Sequence, residues 1–195
     1  MVSTTKLSTQ SNDLNSQKHH SRRRQSKRIF EMVLFAMLGA LMFCSDLIME
    51  ALPNIHLLGM LIVVYTIVFR SKALIPIYVY VFLMGAFSGF ATWWVPYLYI
   101  WTILWGLAML LPRRMPRPLA CVMYTAVCAL HGLFFGVLYA PFHALIYRTG
   151  WAGMIAWIVA GFHFDLLHFI GNLGAGLFIV PVAELLLRLY RKYLR

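Results

Sequence analysis

The residues best suited to chemistry lie at the start of the last apolar stretch, residues 164–187. Its first two turns carry Asp165, His168 and Asn172, and the small residue Gly176 continues their line. At about 100° per residue, the three polar side chains occupy one narrow sector of a helix. Ionisable groups at membrane depth are costly unless they face a protein interior or a cavity. The stripe therefore predicts one wall of a substrate-binding pocket; the alternative is a structural network that ties this helix to its neighbours.

Further candidate pocket residues follow the first apolar segment. Glu50 ends that segment, one helical turn after Asp46 and on the same face. Asn54 and His56 lie in the connection that comes next. Small-molecule pockets are mostly apolar with a few placed polar groups. We expect Glu50, Asn54 and His56 to close over the pocket.

Aromatic residues at the start of the fourth segment are candidates for the pocket lining. Tyr97, Trp101 and Trp105 lie on one helical face, and Trp94 precedes them. Tyr and Trp also form ordinary belts at membrane interfaces, so both interpretations stay open. Stacked aromatics beside acids suit a planar or cationic heterocycle. His131, near the middle of the fifth segment, is a supporting candidate, because a lone intramembrane histidine is often a packing group.

Composition identifies an integral membrane protein. Hydrophobic residues make up 62% of the 195 positions and charged residues only 12%, whereas a soluble domain has about a quarter charged residues. The net charge of +11 resembles that of a nucleic-acid binder. The basic residues lie at the ends of apolar segments, however, so they mark topology and indicate no nucleic-acid partner. The three cysteines lie inside apolar segments without CxxC spacing and are interpreted as packing residues.

Six apolar segments predict an all-α protein with six transmembrane helices. They cover residues 30–49, 55–69, 73–91, 96–111, 119–140 and 164–187. Of the 17 Lys and Arg residues, all except Arg148 lie on one side of this topology, so the positive-inside rule places both termini in the cytoplasm. The polar, basic residues 1–28 are expected to form a disordered cytoplasmic tail, and residues 29–195 the substrate-binding transmembrane domain.

Segment lengths add detail to this topology. The second segment has about 15 residues, near 22 Å as a helix, against a hydrocarbon core of roughly 30 Å. It cannot span alone, so we expect residues 53–56 to dip into the membrane beside protein or a water-filled cavity. In the long external connection 141–163, residues 151–160 are apolar but too few to span. They predict an interfacial or capping helix.

The first helix also carries a face of small residues, with Ala36, Gly39, Ala40 and Cys44 on one side. Such faces let two helices approach closely. The helix packed there is either a neighbour in the same bundle or a helix of a partner protein, and the sequence leaves both open. Ala36, Gly39 and Ala40 are therefore candidate partner-binding residues.

The basic N-terminus, six helices, Ala36-x-x-x-Ala40 and the outer polar cluster resemble the S components of energy-coupling factor (ECF) transporters. The stretch 161–172, GFHFDLLHFIGN, and the run on to Pro181 are similar to the last-helix pattern of several uncharacterised members, with His163 in place of an expected proline. The resemblance implies a bacterial plasma-membrane subunit that captures a vitamin-like micronutrient. It also implies a transmembrane coupling protein, contacted by Ala36 and Ala40, and two cytosolic ATPases. It implies no cofactor or metal.

Two other classes compete with this interpretation. An intramembrane metal-dependent enzyme could use His163, Asp165 and His168, but the Glu-Glu-x-x-x-Arg pair of CAAX-type membrane proteases is missing from the sequence. A channel or stand-alone transporter would usually show an internal repeat. The chain also has no Gly-x-x-x-x-Gly-Lys-Ser/Thr loop for nucleotide hydrolysis. A binding subunit without enzymatic activity is therefore the expected function.

Overall fold

The computed structural model describes residues 2–52 and 55–194, and within these ranges the chain is helical and contains no strand. The α-helices of this described part are α1 (Val2–Met49), α2 (Leu58–Phe69), α3 (Leu74–Ser88), α4 (Tyr97–Leu110), α5 (Arg117–Leu133), α6 (Phe135–Tyr147), α7 (Gly150–Gly176) and α8 (Ile179–Leu194). Short 3-10 turns, Arg70–Ala73 and Thr92–Trp94, lie between α2 and α3 and between α3 and α4. The predicted all-α class is confirmed.

Five helical stretches among the described residues are long and apolar enough to cross a membrane. They are Ser21–Met49, Leu58–Ser88, Thr92–Leu110, Arg117–Tyr147 and Gly150–Gly176. Large apolar side chains cover much of the outer surface; Leu110 and Ile48, for example, are 81% and 79% exposed. Extensive exposed apolar surface is characteristic of a protein that contacts lipid or another protein. The count differs from the six predicted segments because α2 and α3 form one continuous helical stretch.

α2 runs antiparallel to α1. The Tyr65 hydroxyl donates to the Leu38 carbonyl at 3.2 Å, and one turn later in α2 the Phe69 ring packs on Phe35, one turn earlier in α1. Almost all of α2 is buried, with only Ile67 and Val68 partly exposed. A helix that is apolar all round belongs in a protein core or in a membrane. α2 is therefore the central helix of the bundle.

α3 runs parallel to α1 and hence antiparallel to α2. Lys72, just before α3, pairs with Glu31 of α1 at 2.7 Å, and Phe87 near the end of α3 packs on Phe43. The reversal occurs at Arg70, whose φ of 55° is in the left-handed region. The continuous stretch from α2 to α3 is thus a hairpin of two short helices rather than one straight helix.

Two further pairs of consecutive helices are separated only by a short bend. In the first pair, α6 follows α5 after the single residue Phe134, and α7 packs along both helices. Residues 151–160 are the first turns of α7, so the prediction of a separate interfacial helix there is wrong. The predicted single helix 164–187 is also interrupted, because α7 ends at Gly176 and α8 begins at Ile179.

α1 includes most of the stretch for which composition predicts a disordered tail. The helix begins at Val2, and residues 21–28 are all exposed. A polar helix gains little stability without a packed apolar face. The disorder of residues 1–28 and the domain boundary at residue 29 stay predictions.

The basic connections meet at one end of the bundle. Glu31 accepts from Lys72 and from the Tyr190 hydroxyl, each at 2.7 Å, which joins α1 to the α2–α3 hairpin and to α8. Arg117 at the start of α5 lies 3.3 Å from Glu184 of α8. We call this end of the bundle the basic end. It also includes residues 21–31 and the end of α8.

Candidate binding cavity

A cavity of about 240 Å³ lies at the end of the bundle opposite the basic end. Six helices and the connection before α2 supply its lining, which consists of Asp46, Met49, Glu50, Leu52, Ile55, His56, Leu58, Tyr80, Tyr97, Trp101, Phe135 and His168. The structure therefore brings together five of the predicted pocket residues: Glu50, His56, Tyr97, Trp101 and His168. Segments far apart in the chain meet here because the helices alternate in direction.

An aromatic wall centres on Trp101. Its ring centroid lies 5.6 Å from those of Tyr97 and Phe135 and 6.5 Å from that of Tyr80. Trp101 is only 3% exposed, and its indole N–H has no hydrogen-bond partner among the described residues. An unsatisfied buried donor costs about 1–3 kcal/mol. The wall thus presents aromatic rings to the cavity.

His56 and His168 meet across the cavity. Their Nε2 atoms are 2.9 Å apart, so one ring donates a proton to the other. The Nδ1 atoms of both rings are buried without partners in the part of the chain that the structure describes. The connection before α2 is thereby tied to α7.

Two carboxylates border the cavity, Asp46 from α1 and Glu50 from just after the end of that helix. Asp46 is half-buried and accepts from the Tyr80 hydroxyl at 2.9 Å, whereas Glu50 is exposed. The lining contributed by described residues includes no Lys or Arg. Asp46, Tyr80 and Phe135 were not among the predicted pocket residues. The spacing of Asp46 to Glu50 was a usable signal, but Tyr80 and Phe135 are ordinary residues of apolar helices and gave none.

The predicted inward orientation of the α7 stripe is confirmed, since Asp165, His168, Asn172 and Gly176 are the buried residues of that helix. Only His168 lines the cavity, however. One turn of a helix advances about 5.4 Å, so residues on one face meet different neighbours at different depths.

Asp165 caps a helix instead of lining the cavity. Both of its oxygens accept the Gly136 backbone N–H, at 3.0 and 3.1 Å. The bend at Phe134 leaves the first N–H groups of α6 without intrahelical acceptors, and a carboxylate satisfies them well. A Cβ at position 136 would collide with Asp165 Oδ2, so glycine is needed there. Asp165 also borders a second recess of about 340 Å³ between α6 and α7, which shares Phe135 and His168 with the cavity.

Asn172 and His131 make interhelical hydrogen bonds outside the cavity lining. Asn172 Nδ2 donates to the Cys128 carbonyl at 3.1 Å, next to Gly132 of α5. His131 Nε2–H donates to the Ile100 carbonyl at 3.0 Å and so joins α5 to α4. The sequence left open that both residues join helices instead of binding substrate, and these contacts agree with that alternative.

The remaining predicted pocket residues are placed differently. Trp94 lies outside the lining; its indole N–H donates to the Val81 carbonyl at 2.7 Å, and Gly85 leaves room for it. Trp94 therefore fixes the α3–α4 connection rather than contacting the cavity. Asn54 lies outside the described residues.

The residues proposed for a metal-dependent enzyme do not converge. His163 is exposed on the face of α7 opposite to the buried Asp165 and His168. Within residues 2–52 and 55–194, no group of three or more His, Cys, Asp or Glu side chains is arranged to hold a metal ion.

The small-residue face of α1 is split between two environments. Ala36 is exposed and Ala40 is partly exposed. Gly39 is buried against α3, where a Cβ would lie 2.5 Å from Val79 Cγ1 and 2.9 Å from the Pro76 carbonyl oxygen. Gly39 thus belongs to the α1–α3 contact and is not available to a partner helix, whereas Ala36 and Ala40 remain accessible.

Comparison with protein-family models, with curated proteins and with solved structures finds no match to this chain in any of the three.

Proposed function

We propose that this chain is the substrate-capture subunit of an ECF-type importer in the bacterial plasma membrane. It takes up a vitamin-like micronutrient from outside and works with a transmembrane coupling protein and two cytosolic ATPases. The observation that carries this proposal is the cavity at the end of the bundle opposite the basic end. By the positive-inside rule, that end faces the outside.

The course of the helices supports six crossings with both termini in the cytoplasm. The α2–α3 hairpin turns at Arg70 and so counts as two passes, and the bent pairs α5–α6 and α7–α8 count as one pass each. With α1 and α4 this makes six. Both α1 and α8 then have their chain termini on the basic side, as topology requires for an even number of crossings.

The packing below the cavity supports capture rather than conduction. Between the cavity and the basic end, fully buried side chains fill the interior, including Ile62 and Tyr65 of α2 and Leu104 of α4. Protein interiors of this kind are close-packed and leave no path for a solute. A ligand bound in the cavity therefore needs a large movement of the subunit to reach the cytoplasm, and a partner that is driven by ATP supplies the energy.

The enzyme alternative has less support. His163 lies on the exposed face of α7, away from the buried Asp165. The Asp165 carboxylate accepts the Gly136 N–H at the start of α6. The cavity presents aromatic rings, two carboxylates and a histidine pair, which is an arrangement suited to recognition.

Affinity purification of the tagged chain from its native membranes tests the proposal. We expect a second membrane protein and two proteins with nucleotide-binding P-loops to co-purify in fixed stoichiometry. Membrane vesicles that contain this complex should accumulate ligand only with ATP. Purification of the chain without ATPases under conditions that preserve other membrane complexes would refute the proposal.

A further inference from the structure

We propose that the cavity binds a compact planar organic cation, namely an aromatic ring system with one fixed positive charge. This inference rests on the proposed function, because it assigns the class of substrate that the subunit captures. Two properties of the lining carry it: charge and ring geometry.

The charge of the lining favours a cation. Asp46 and Glu50 both border the cavity, and no Lys or Arg does so among the described lining residues. His56 and His168 share one proton between their Nε2 atoms and need carry no charge. An anionic ligand would approach two carboxylates, and like charges at short range in a partly desolvated site repel strongly. A cation instead gains the attraction of both.

The rings define the shape of the ligand. Trp101 stands at an angle of 69° to Tyr97 and 71° to Tyr80, so ring faces and edges enclose the space. A cation held over aromatic faces gains about 0.5–2 kcal/mol from the ring quadrupoles. The volume of about 240 Å³ lies just below the typical range of ligand pockets. It suits a one- or two-ring molecule rather than a large cofactor.

Matched ring compounds test the class. The probes are N-methylquinolinium carboxamide, the neutral quinoline carboxamide and quinoline carboxylate, with calorimetry on the purified full-length chain in detergent. The cation should bind at least about tenfold more tightly than the neutral compound, and the carboxylate should bind most weakly. Equal or tighter binding of the neutral or anionic probe, or no binding of the cation, would overturn the assignment.

Variants locate the effect in this cavity. Glu50→Gln keeps the shape of an exposed residue and should weaken cation binding by about tenfold while leaving the neutral probe unchanged. Asp46→Asn should act in the same way and still accept from Tyr80. Glu184→Gln removes the same charge at the basic end and should change neither affinity. If Glu50→Gln and Glu184→Gln weaken cation binding equally, the affinity depends on the net charge of the protein and not on this cavity, which contradicts the proposal.

The two proposals fail in distinguishable ways. If the cation binds in the cavity but no ATPase co-purifies, the importer is wrong and the ligand class stands. If the complex accumulates an anionic or neutral substrate with ATP, the importer stands and the ligand class is wrong.

Discussion

The carboxylate of Asp165 accepts the backbone N–H of Gly136 through both oxygens, at 3.0 and 3.1 Å. This contact ties α7 to the first turn of α6, where the chain bends away from α5 at Phe134. Asp165, which the sequence predicts to bind substrate, thus joins two helices. His168, one turn further along α7, contacts the cavity instead.

The cap predicts a stability effect at Asp165. Asp165→Ala should lower the free energy of unfolding by about 1–3 kcal/mol, because a buried N–H loses its acceptor. Asp165→Asn keeps one oxygen and should lose less. Gly136→Ala introduces a Cβ that would displace the carboxylate. It should lower the free energy of unfolding as much as Asp165→Ala does. Thermal unfolding in detergent, followed by tryptophan fluorescence, measures the change. Reduced ligand affinity with unchanged melting would instead return Asp165 to the predicted pocket wall.

The histidine pair predicts a dependence on pH. With one shared proton, His56 and His168 attract each other; when both rings are fully protonated, two cations lie 2.9 Å apart and repel. The contact is therefore present at neutral pH. Because burial lowers the pKa of His56 below its ordinary value near 6.5, the contact is lost only at a pH below that value. The carboxylates of Asp46 in α1 and of Glu50 just after it border the same cavity and reduce the repulsion without removing it.

Labelling measures the opening of this contact. A cysteine at Leu52, which is exposed beside the cavity, should react faster as the pair separates, after correction for thiolate content with a free thiol peptide. His56→Asn should abolish the pH dependence, and His163→Asn, at an exposed position, should preserve it. An unchanged profile in His56→Asn would show that another group is titrating.

The topology predicts which residues react from outside the cell. In a variant that lacks the three native cysteines, a membrane-impermeant reagent should label Arg148→Cys and miss Ser71→Cys and Arg114→Cys. All three positions are exposed, so differences in burial cannot explain the result. Permeabilised cells provide the control, since all three sites should then react. Labelling of Ser71→Cys on intact cells would exclude the proposed orientation.

The split face of α1 predicts two different outcomes for neighbouring substitutions. Ala36→Leu and Ala40→Leu should abolish ATP-driven uptake but leave melting and ligand binding intact, because a docked helix could no longer approach closely. Gly39→Ala should instead lower thermal stability, since its Cβ would press against Val79 and the Pro76 carbonyl. If Ala36→Leu reduces ligand binding as strongly as uptake, the face does not dock a partner.

Hydrophobicity and periodicity determined much of the architecture without a structure. Runs of apolar residues predict helices because the lipid phase demands internally satisfied backbone groups. Charge at the segment ends predicts which ends meet, and Lys72 does meet Glu31 near Tyr190. The burial of Asp165, His168 and Asn172 also followed from the sequence, because helical spacing and the cost of exposing polar groups to lipid are local properties.

The tertiary structure alone decided which neighbour each buried group meets. Nothing local distinguishes Asp165 from His168, yet one faces the bend before α6 and the other faces His56. Tyr80 and Phe135 entered the cavity lining only through helix packing. Hydropathy is likewise insensitive to the interruptions at Phe134 and after Gly176, which divide apolar runs that the sequence predicts as single helices. The sequence determined the inward-facing side of α7, while packing decided depth and partner, because those depend on how the helices fit together in three dimensions.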